Sequence, residues 1–351
     1  MVVNMESIRK MNEQSSNGAQ RSRRNARVHR STRASQGLTI GLLNNMAGAA
    51  FKATERQFVS LLDSASQGIP IHVSFYTLPG LSDVESGGHR FASHYAGIDS
   101  LLETKLDALI VTGREPKMKD LREEPYWDNF TRVLEWARTN TRSTVWSCLA
   151  AHAAILYMDG IDRRKSDEKH FGVFKCEHAG KHALMRGLAA QFSVPHSRWN
   201  GVAMDDLTAN GYEVLSRVAG NGVDTFIQQN ESLFVFFQGH LEYEPDTLMR
   251  EYRRDVGRYV RGESETYPLL PAGYFDSPTE AALAALKEKA GSCRNLELLK
   301  KATETLDHTK IEDAWRGTAT QIYRNWLSLL YESKTGAGAP HPIEDEVAVL
   351  R

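Results

Sequence analysis

The sequence predicts an α/β protein: a doubly wound, mostly parallel sheet flanked by helices, with additional short strands and C-terminal helices. Three observations carry this. Apolar runs at 39–44, 71–76, 107–112 and 143–147 have the length of strands. Segments with helical period separate them. The fourth run ends at a cysteine, and a helix-forming segment starts directly after it.

The elements follow in order. Residues 39–44 form a first core strand. Residues 54–62 place Phe58, Val59, Leu61 and Leu62 on one helical face. Residues 71–76 alternate as a second strand. Residues 95–104 are expected to be helical, and 107–112 make a third strand that ends at Gly113. Residues 126–140 form an amphipathic helix. Strand 143–147 leads into Cys148 and a helix from Leu149 to Tyr157. From Gly172 a region of short strands and turns is expected, and 194–198 lies within it. Residues 279–303 are rich in Ala, Glu and Lys and read as helix; 315–331 form a final amphipathic helix carrying Ile322, Trp326, Leu329 and Leu330. In a parallel sheet, function gathers at the carboxyl ends of strands, where the loops after Asn44, Thr112, Ser147 and Gln238 fall.

Composition narrows the function classes. The chain has 351 residues, 41% apolar and 25% charged, with a formal net charge of −1. That balance predicts no global attraction to nucleic acid or to a membrane surface. No stretch approaches the roughly 18 apolar residues of a membrane span. Cys148, Cys176 and Cys293 are scattered without a CxxC pair, which points to a reducing, cytoplasmic setting rather than a disulfide scaffold or zinc site. Residues 1–36 carry Arg9, Lys10, Arg21, Arg23, Arg24, Arg27, Arg30 and Arg33 against only Glu6 and Glu13. A disordered basic tail is expected there, with an organelle transit peptide as the alternative. Residues 37–332 are expected to form a single α/β domain, and 333–351 a flexible extension.

Two apolar runs end in chemistry. A strand, a cysteine and a helix make a nucleophile elbow, whose helix N-terminus can stabilise a thiolate and a developing oxyanion. The run 235–238 is followed by Gly239 and His240, with Glu242 two residues on. Singly, Cys148 could be a packed strand-end cysteine and His240 a solvated histidine. Together they are the parts of a thiol acyl-transfer site.

At this point the motifs resemble the homoserine O-acyltransferases, or homoserine trans-succinylases. The resemblance runs from about Gly41 to Tyr331. It includes Leu43-Asn-Asn-Met46, Thr54-Glu-x-Gln57, Tyr126-Trp127, Pro195-His-Ser-Arg198, Gly239-His-x-Glu-Tyr243, Glu251-Tyr-x-Arg-Asp255, Trp315-Arg316 and Asn325-Trp-Leu327. It implies a fold similar to class I glutamine amidotransferases. It also implies acyl transfer from acyl-CoA to the hydroxyl of L-homoserine in methionine biosynthesis, with no bound cofactor or metal, and a homodimer. Carried over, Cys148 is the acylated nucleophile, His240 the general base and Glu242 its orienting partner. Arg254 and Glu251 fall at substrate positions, with Arg254 suited to a carboxylate. His196, Ser197 and Arg198 contact substrate or brace their loop.

The chain departs from the family at several places, as a divergent member. Leu149 stands where Trp is usual, and Leu241 where Pro is. The lysine implicated in the oxyanion site is displaced to Lys52, which leaves Lys52 and the Leu149 amide as oxyanion candidates. Gly113-Arg-Glu-Pro-Lys-Met118 replaces a Gly-Ala-Pro segment and puts Lys117 at the acyl-selecting position. Arg114 and Lys117 supply positive charge that suits succinyl-CoA better than acetyl-CoA. Serine or another hydroxy-amino acid is an alternative acceptor. A class I glutamine amidotransferase-like hydrolase is an alternative enzyme, and a non-catalytic binding protein is the alternative from another class.

Overall fold

The structure is a computed structural model and describes residues 3–4, 37–79, 94–220, 222–290 and 294–336. The basic tail, apart from its residues 3–4, lies outside the described residues, as do Cys293 and residues 337–351. The chain divides into two compact units: residues 1–145, 229–234 and 320–351, and residues 146–228 and 235–319.

The first unit holds β1 (Val3–Asn4), β2 (Leu38–Leu43), β3 (Ile71–Tyr76), β4 (Tyr95–Ala96), β5 (Ala108–Thr112) and the start of β6 (Ser143–Ser147). Their order is β1-β3-β2-β5-β6, with β4 paired to β3. β2 runs parallel to β3 from Leu38↔Ile71 to Leu43↔Tyr76, and parallel to β5 from Ile40↔Ala108 to Leu43↔Val111. Ile40, Leu42, Leu109 and Ile110 are wholly buried, the near-continuous apolar strand that a sheet covered on both faces requires. The unit's helices are α1 (Ala49–Ala65), α2 (Ile98–Leu102), α3 (Trp127–Asn140) and, late in the chain, α9 (Arg316–Thr335). Lys334 near the end of α9 donates to Asp107 Oδ2 at 2.7 Å and to the Gly37 carbonyl at 2.8 Å. Residues 333–335, expected in a flexible extension, thus belong to this helix.

The segment 95–104 is not one helix. Tyr95 and Ala96 pair with Phe75 and Tyr76 as a strand, and the helix begins only after Gly97. Tyr95 is held there by its side chain: its hydroxyl donates to Glu55 Oε2 at 2.9 Å, and its ring packs 4.7 Å from that of Phe51. Side-chain anchoring overrides a weak helical pattern.

The second unit holds the end of β6, α4 (Leu149–Asp159), β7 (Arg164–His178), β8 (Gln191–Gly201), α5 (Met204–Ala209), β9 (Glu213–Val218), β10 (Gly222–Gln229), the end of β11 (Leu233–Phe237), α6 (Thr247–Val260), α7 (Ser277–Ala290) and α8 (Leu296–Asp307). Strands β10, β9, β7 and β8 lie in that order and pair antiparallel. The strands expected to be short include a 15-residue β7 and an 11-residue β8. The charged run at 164–169 hid the start of β7, because an exposed strand needs no apolar alternation. The helix expected over 279–303 is two helices. Asn295 caps the second in an extended conformation, its side chain accepting from the Leu298 amide at 3.1 Å.

Leu248, Tyr252, Val256 and Tyr259 follow one face of α6 and are buried in a cluster with Leu283, Leu298, Leu306 and Trp315. Trp315 Nε1 donates to the Tyr243 carbonyl at 2.9 Å, so this core also anchors the turn that carries His240 and Glu242.

Candidate active site

Strand β6 is buried along its whole length and stops at Cys148, the N-cap of α4. Cys148 has φ 53° and ψ −113°; among the described residues only Gln67 shares a positive φ without being glycine. A non-glycine residue held there costs about 1–3 kcal/mol, which the surroundings must offset. Here the Cys148 amide donates to the Phe237 carbonyl at 2.7 Å, while its own carbonyl accepts from Ala151 at 3.0 Å. The sulfur is half-buried at the start of a helix whose first amides lack helical partners. Leu149 is the first residue of that helix.

The turn after β11 brings the other two residues. The His240 amide donates to the Pro195 carbonyl at 2.8 Å, and its Nδ1 lies 2.8 Å from Glu242 Oε1. Nδ1–H facing a carboxylate leaves Nε2 as the atom for the sulfur. The ring also stacks on Tyr243, centroids 4.2 Å apart at 17°. Burial alone would lower His240; the Cys148 sulfur and Glu242, each charged and hydrogen-bonded to it, outweigh burial and raise it well above its ordinary value. Cys148, His240 and Glu242 therefore lie within one unit.

Beside them lies a second set. Glu251 on α6 accepts from the Tyr243 hydroxyl at 2.5 Å and from Ser197 Oγ at 2.6 Å. Lys169 Nζ is 3.8 Å from Glu251 and 3.9 Å from Asp255. Arg254 is exposed and forks onto Asp255 at 2.8 and 3.1 Å, with Glu251 at 3.9 Å. This is a compact set of fixed charges of both signs, suited to an amino-acid zwitterion. Sequence pattern alone assigns no role to Lys169 or Tyr243. Tyr243 lies inside a quoted motif, whereas Lys169 sits in a charged run that gave no signal.

Alternation along β8 divides Pro195-His-Ser-Arg198. Ser197 points to Glu251, while His196 and Arg198 point to the other face. There Arg198 Nε donates to His196 Nδ1 at 3.1 Å, and His196 Nε2 lies 3.2 Å from Asp224 Oδ1. Cys176, His196 and Asp224 present ligand-type atoms within 4.8 Å of one another. Their lone pairs are already engaged: Asp224 Oδ2 accepts from Ser216 Oγ at 2.7 Å and Thr225 Oγ1 at 2.9 Å, and burial drives the Cys176 thiol far up. With the Nδ1 lone pair of His196 taken by Arg198 and the Cys176 thiol held in its protonated form, the set makes no case for a metal.

The remaining candidates belong to the first unit. Lys52 is an exposed residue of α1. Arg114 lies over Tyr126, 5.9 Å from its ring centroid. The Lys117 side chain is exposed, and its backbone amide donates to Glu124 Oε1 at 2.5 Å; the Met118 amide donates to the same oxygen at 2.7 Å. Glu124, buried, therefore fixes the backbone of the segment that carries Lys117.

Two histidines of the second unit make stability depend on pH. Burial, with Arg198 and Arg163, pushes His152 down to about 3; burial, with Arg198 and His196, pushes His170 down to about 4. In the unfolded chain both take up protons near about 6.5. Between those values the unfolded chain binds protons that the folded chain refuses. Their stabilisation is complete above about 6.5 and lost as pH falls through that window. His152→Leu is expected to flatten the acid limb of the melting midpoint plotted against pH; an unchanged limb would contradict this.

The family described as "HTS: Homoserine O-succinyltransferase" matches residues 11–336. The chain is 44% identical to a homoserine O-succinyltransferase of Rhodopseudomonas palustris over 290 residues, 83% of this chain and 87% of that one. It is 42% identical to one from Bradyrhizobium japonicum over 84% of this chain and 90% of the relative. A solved glutamine amido transferase from Methylobacillus Flagellatus is similar at 13% identity and a TM-score of 0.47, covering 87% of this chain and 97% of that one. No helix among the described residues is long and apolar enough to cross a membrane.

Proposed function

The chain belongs to the homoserine O-succinyltransferase family, and on that premise we propose how its residues carry the reaction. It is an acyltransferase that moves a succinyl group to the hydroxyl of L-homoserine, a step of methionine biosynthesis. Succinyl-CoA is the donor, favoured over acetyl-CoA. The observation that carries the mechanism is His240, hydrogen-bonded on one side to Glu242 and on the other to the Cys148 sulfur.

The Cys148 thiolate attacks the succinyl thioester carbonyl. The tetrahedral oxyanion is stabilised by the Leu149 amide at the head of α4, with Lys52 as the side-chain candidate. The carbon–sulfur bond to CoA breaks, and the His240 imidazolium gives its proton to the leaving thiolate. The sulfur of acyl-Cys148 carries no charge, so the main influence holding the proton on His240 is gone, and the imidazole becomes a base. It takes the proton of the homoserine hydroxyl as that oxygen attacks acyl-Cys148. The carbon–sulfur bond to the enzyme breaks, and the thiolate–imidazolium pair is restored. Glu242 fixes the tautomer and stabilises each imidazolium.

Glu251 and Arg254 take the acceptor's ammonium and carboxylate, with Ser197, Tyr243 and Lys169 holding Glu251 in place. For donor choice we assign Arg114 and Lys117, whose positive charge suits the extra carboxylate of a succinyl group. We place the enzyme in the cytoplasm as a homodimer, without metal, cofactor, nucleic acid or membrane partner, with 37–332 as its catalytic domain.

Initial rates with both substrates varied are expected to give parallel double-reciprocal lines, with succinyl-CoA at least about tenfold better than acetyl-CoA, a difference of about 1.4 kcal/mol. Intersecting lines without an acyl-enzyme would contradict the mechanism. Glutaminase activity in place of acyl transfer would favour the hydrolase alternative.

A further inference from the structure

Tyr243 touches the reactive histidine with its ring and the acceptor set with its hydroxyl. The ring lies flat on the His240 imidazole, centroids 4.2 Å apart and planes 17° from parallel. The hydroxyl donates to Glu251 Oε1 at 2.5 Å, while Ser197 Oγ donates to the other oxygen of that carboxylate at 2.6 Å. The backbone holds the residue between the two. The Tyr243 amide donates to the His240 carbonyl at 3.2 Å, and the Tyr243 carbonyl accepts from Trp315 Nε1 at 2.9 Å. Tyr243 and Trp315 are both buried. A phenol is rigid, so its ring cannot shift on the imidazole without moving the hydroxyl on Glu251.

His240 needs that face. Its Nδ1 lies 2.8 Å from Glu242 Oε1, which fixes one edge of the imidazole. An edge contact leaves rotation about the line of the hydrogen bond, and that rotation swings Nε2 out of place. A flat partner against the face removes it, and the electron-rich face of a phenol favours the imidazolium. Simple packing accounts for the ring but not for the hydroxyl, which reaches a carboxylate on α6 rather than a neighbouring carbonyl. Burial, reinforced by Glu251, holds that hydroxyl protonated well beyond the ordinary tyrosine range. It is a standing hydrogen-bond donor, not an acid or a base.

We propose that Tyr243 is a positioning residue that joins acceptor recognition to the general base: its ring sets the plane of His240, and its hydroxyl ties that ring to Glu251. This rests on the Cys148 mechanism above and on Glu251 as an acceptor-binding group. The two half-reactions then draw on Tyr243 differently. Adduct formation needs the imidazole in its plane, and hence the ring. Discharge also needs the acceptor's hydroxyl to meet Nε2 while its ammonium sits on Glu251. The register between Glu251 and His240 is what the tyrosine hydroxyl maintains, and orientation of this kind governs the rate of a step between two bound groups.

The test uses the full-length protein, rapid mixing and intact mass, and follows two rates: appearance of the succinyl adduct from succinyl-CoA, and its loss when homoserine is added. Tyr243→Phe keeps the ring and cuts the tie. It is expected to form the adduct as fast as wild type but to discharge it roughly 10- to 100-fold more slowly, the scale of one hydrogen bond to a charged group. Tyr243→Leu removes the flat face as well. It should slow adduct formation roughly tenfold or more, the scale of a small misplacement at an active site. Recovery of that step on going from Leu to Phe is the share of the ring. In a Glu251→Ala background Tyr243→Phe should add little, because the hydroxyl acts through that carboxylate. Adduct formation as fast in Tyr243→Leu as in wild type would overturn the proposal. So would unchanged discharge in Tyr243→Phe, or a Tyr243→Phe that slows both steps alike. If the Leu variant does not fold, Tyr243→Phe decides alone by the same contrast between the two steps. The premises fail in a different way: no adduct on wild-type protein would refute the acyl-enzyme mechanism, and an unchanged KM for homoserine in Glu251→Ala would remove Glu251 from the acceptor site. Either result would take the proposal with it.

Discussion

Cys148→Ala is expected to lower succinyl transfer by about 10⁴-fold or more, the scale on which enzymes lose rate when the nucleophile of a cooperating triad is removed. Among the described residues no other cysteine can take its place. Cys176, the other described cysteine, is wholly buried and its thiol is driven far up, so it offers no thiolate. Cys148→Ser keeps the shape of the elbow but replaces the sulfur nucleophile by a hydroxyl that one imidazole activates poorly. It should retain little activity while still binding homoserine. The same folded structure with activity within tenfold of wild type would remove Cys148 from the mechanism.

Glu242→Gln is expected to cost roughly 10²–10⁴-fold in turnover, because the amide can present an N–H to Nδ1 and turn the imidazole into the wrong tautomer. The loss should fall on kcat more than on KM for homoserine, since Glu242 touches His240 at 2.8 Å and not the acceptor set around Glu251. The variant also removes one of the two influences that raise His240. A group raised on folding stabilises the fold fully below its unfolded value, about 6.5, and loses that contribution as pH rises through the folded value. Glu242→Gln narrows that window from above, so its melting midpoint should fall behind wild type most clearly at and below neutrality. Turnover within a few-fold of wild type would show that His240 needs no orienting carboxylate.

The parts of this protein written in local pattern were legible. Strands β2, β3, β5 and β6 are apolar runs because a parallel strand is buried on both faces, and the elbow stands out because a cysteine ends such a run. His240 and Glu242 were legible for the same reason, at the end of β11. What the pattern could not carry was side-chain anchoring and polar strands. Tyr95 forms a strand because Glu55 and Phe51 hold it, a contact across 40 residues. The charged start of β7 concealed both the strand and Lys169. Asp224 stands in a strand with nothing in its neighbourhood to announce that His196 and Gly239 close over it. The family resemblance named His196 and Arg198 without saying which face they occupy; the alternation of β8 separates them from Ser197.

The most direct measurement is the intact mass of the protein after mixing with succinyl-CoA in the absence of homoserine, beside Cys148→Ala. The mechanism predicts a single succinyl adduct on the wild type, absent from the variant, and discharged when homoserine is added. No adduct on the wild type during active turnover, or an equal adduct on Cys148→Ala, would contradict it.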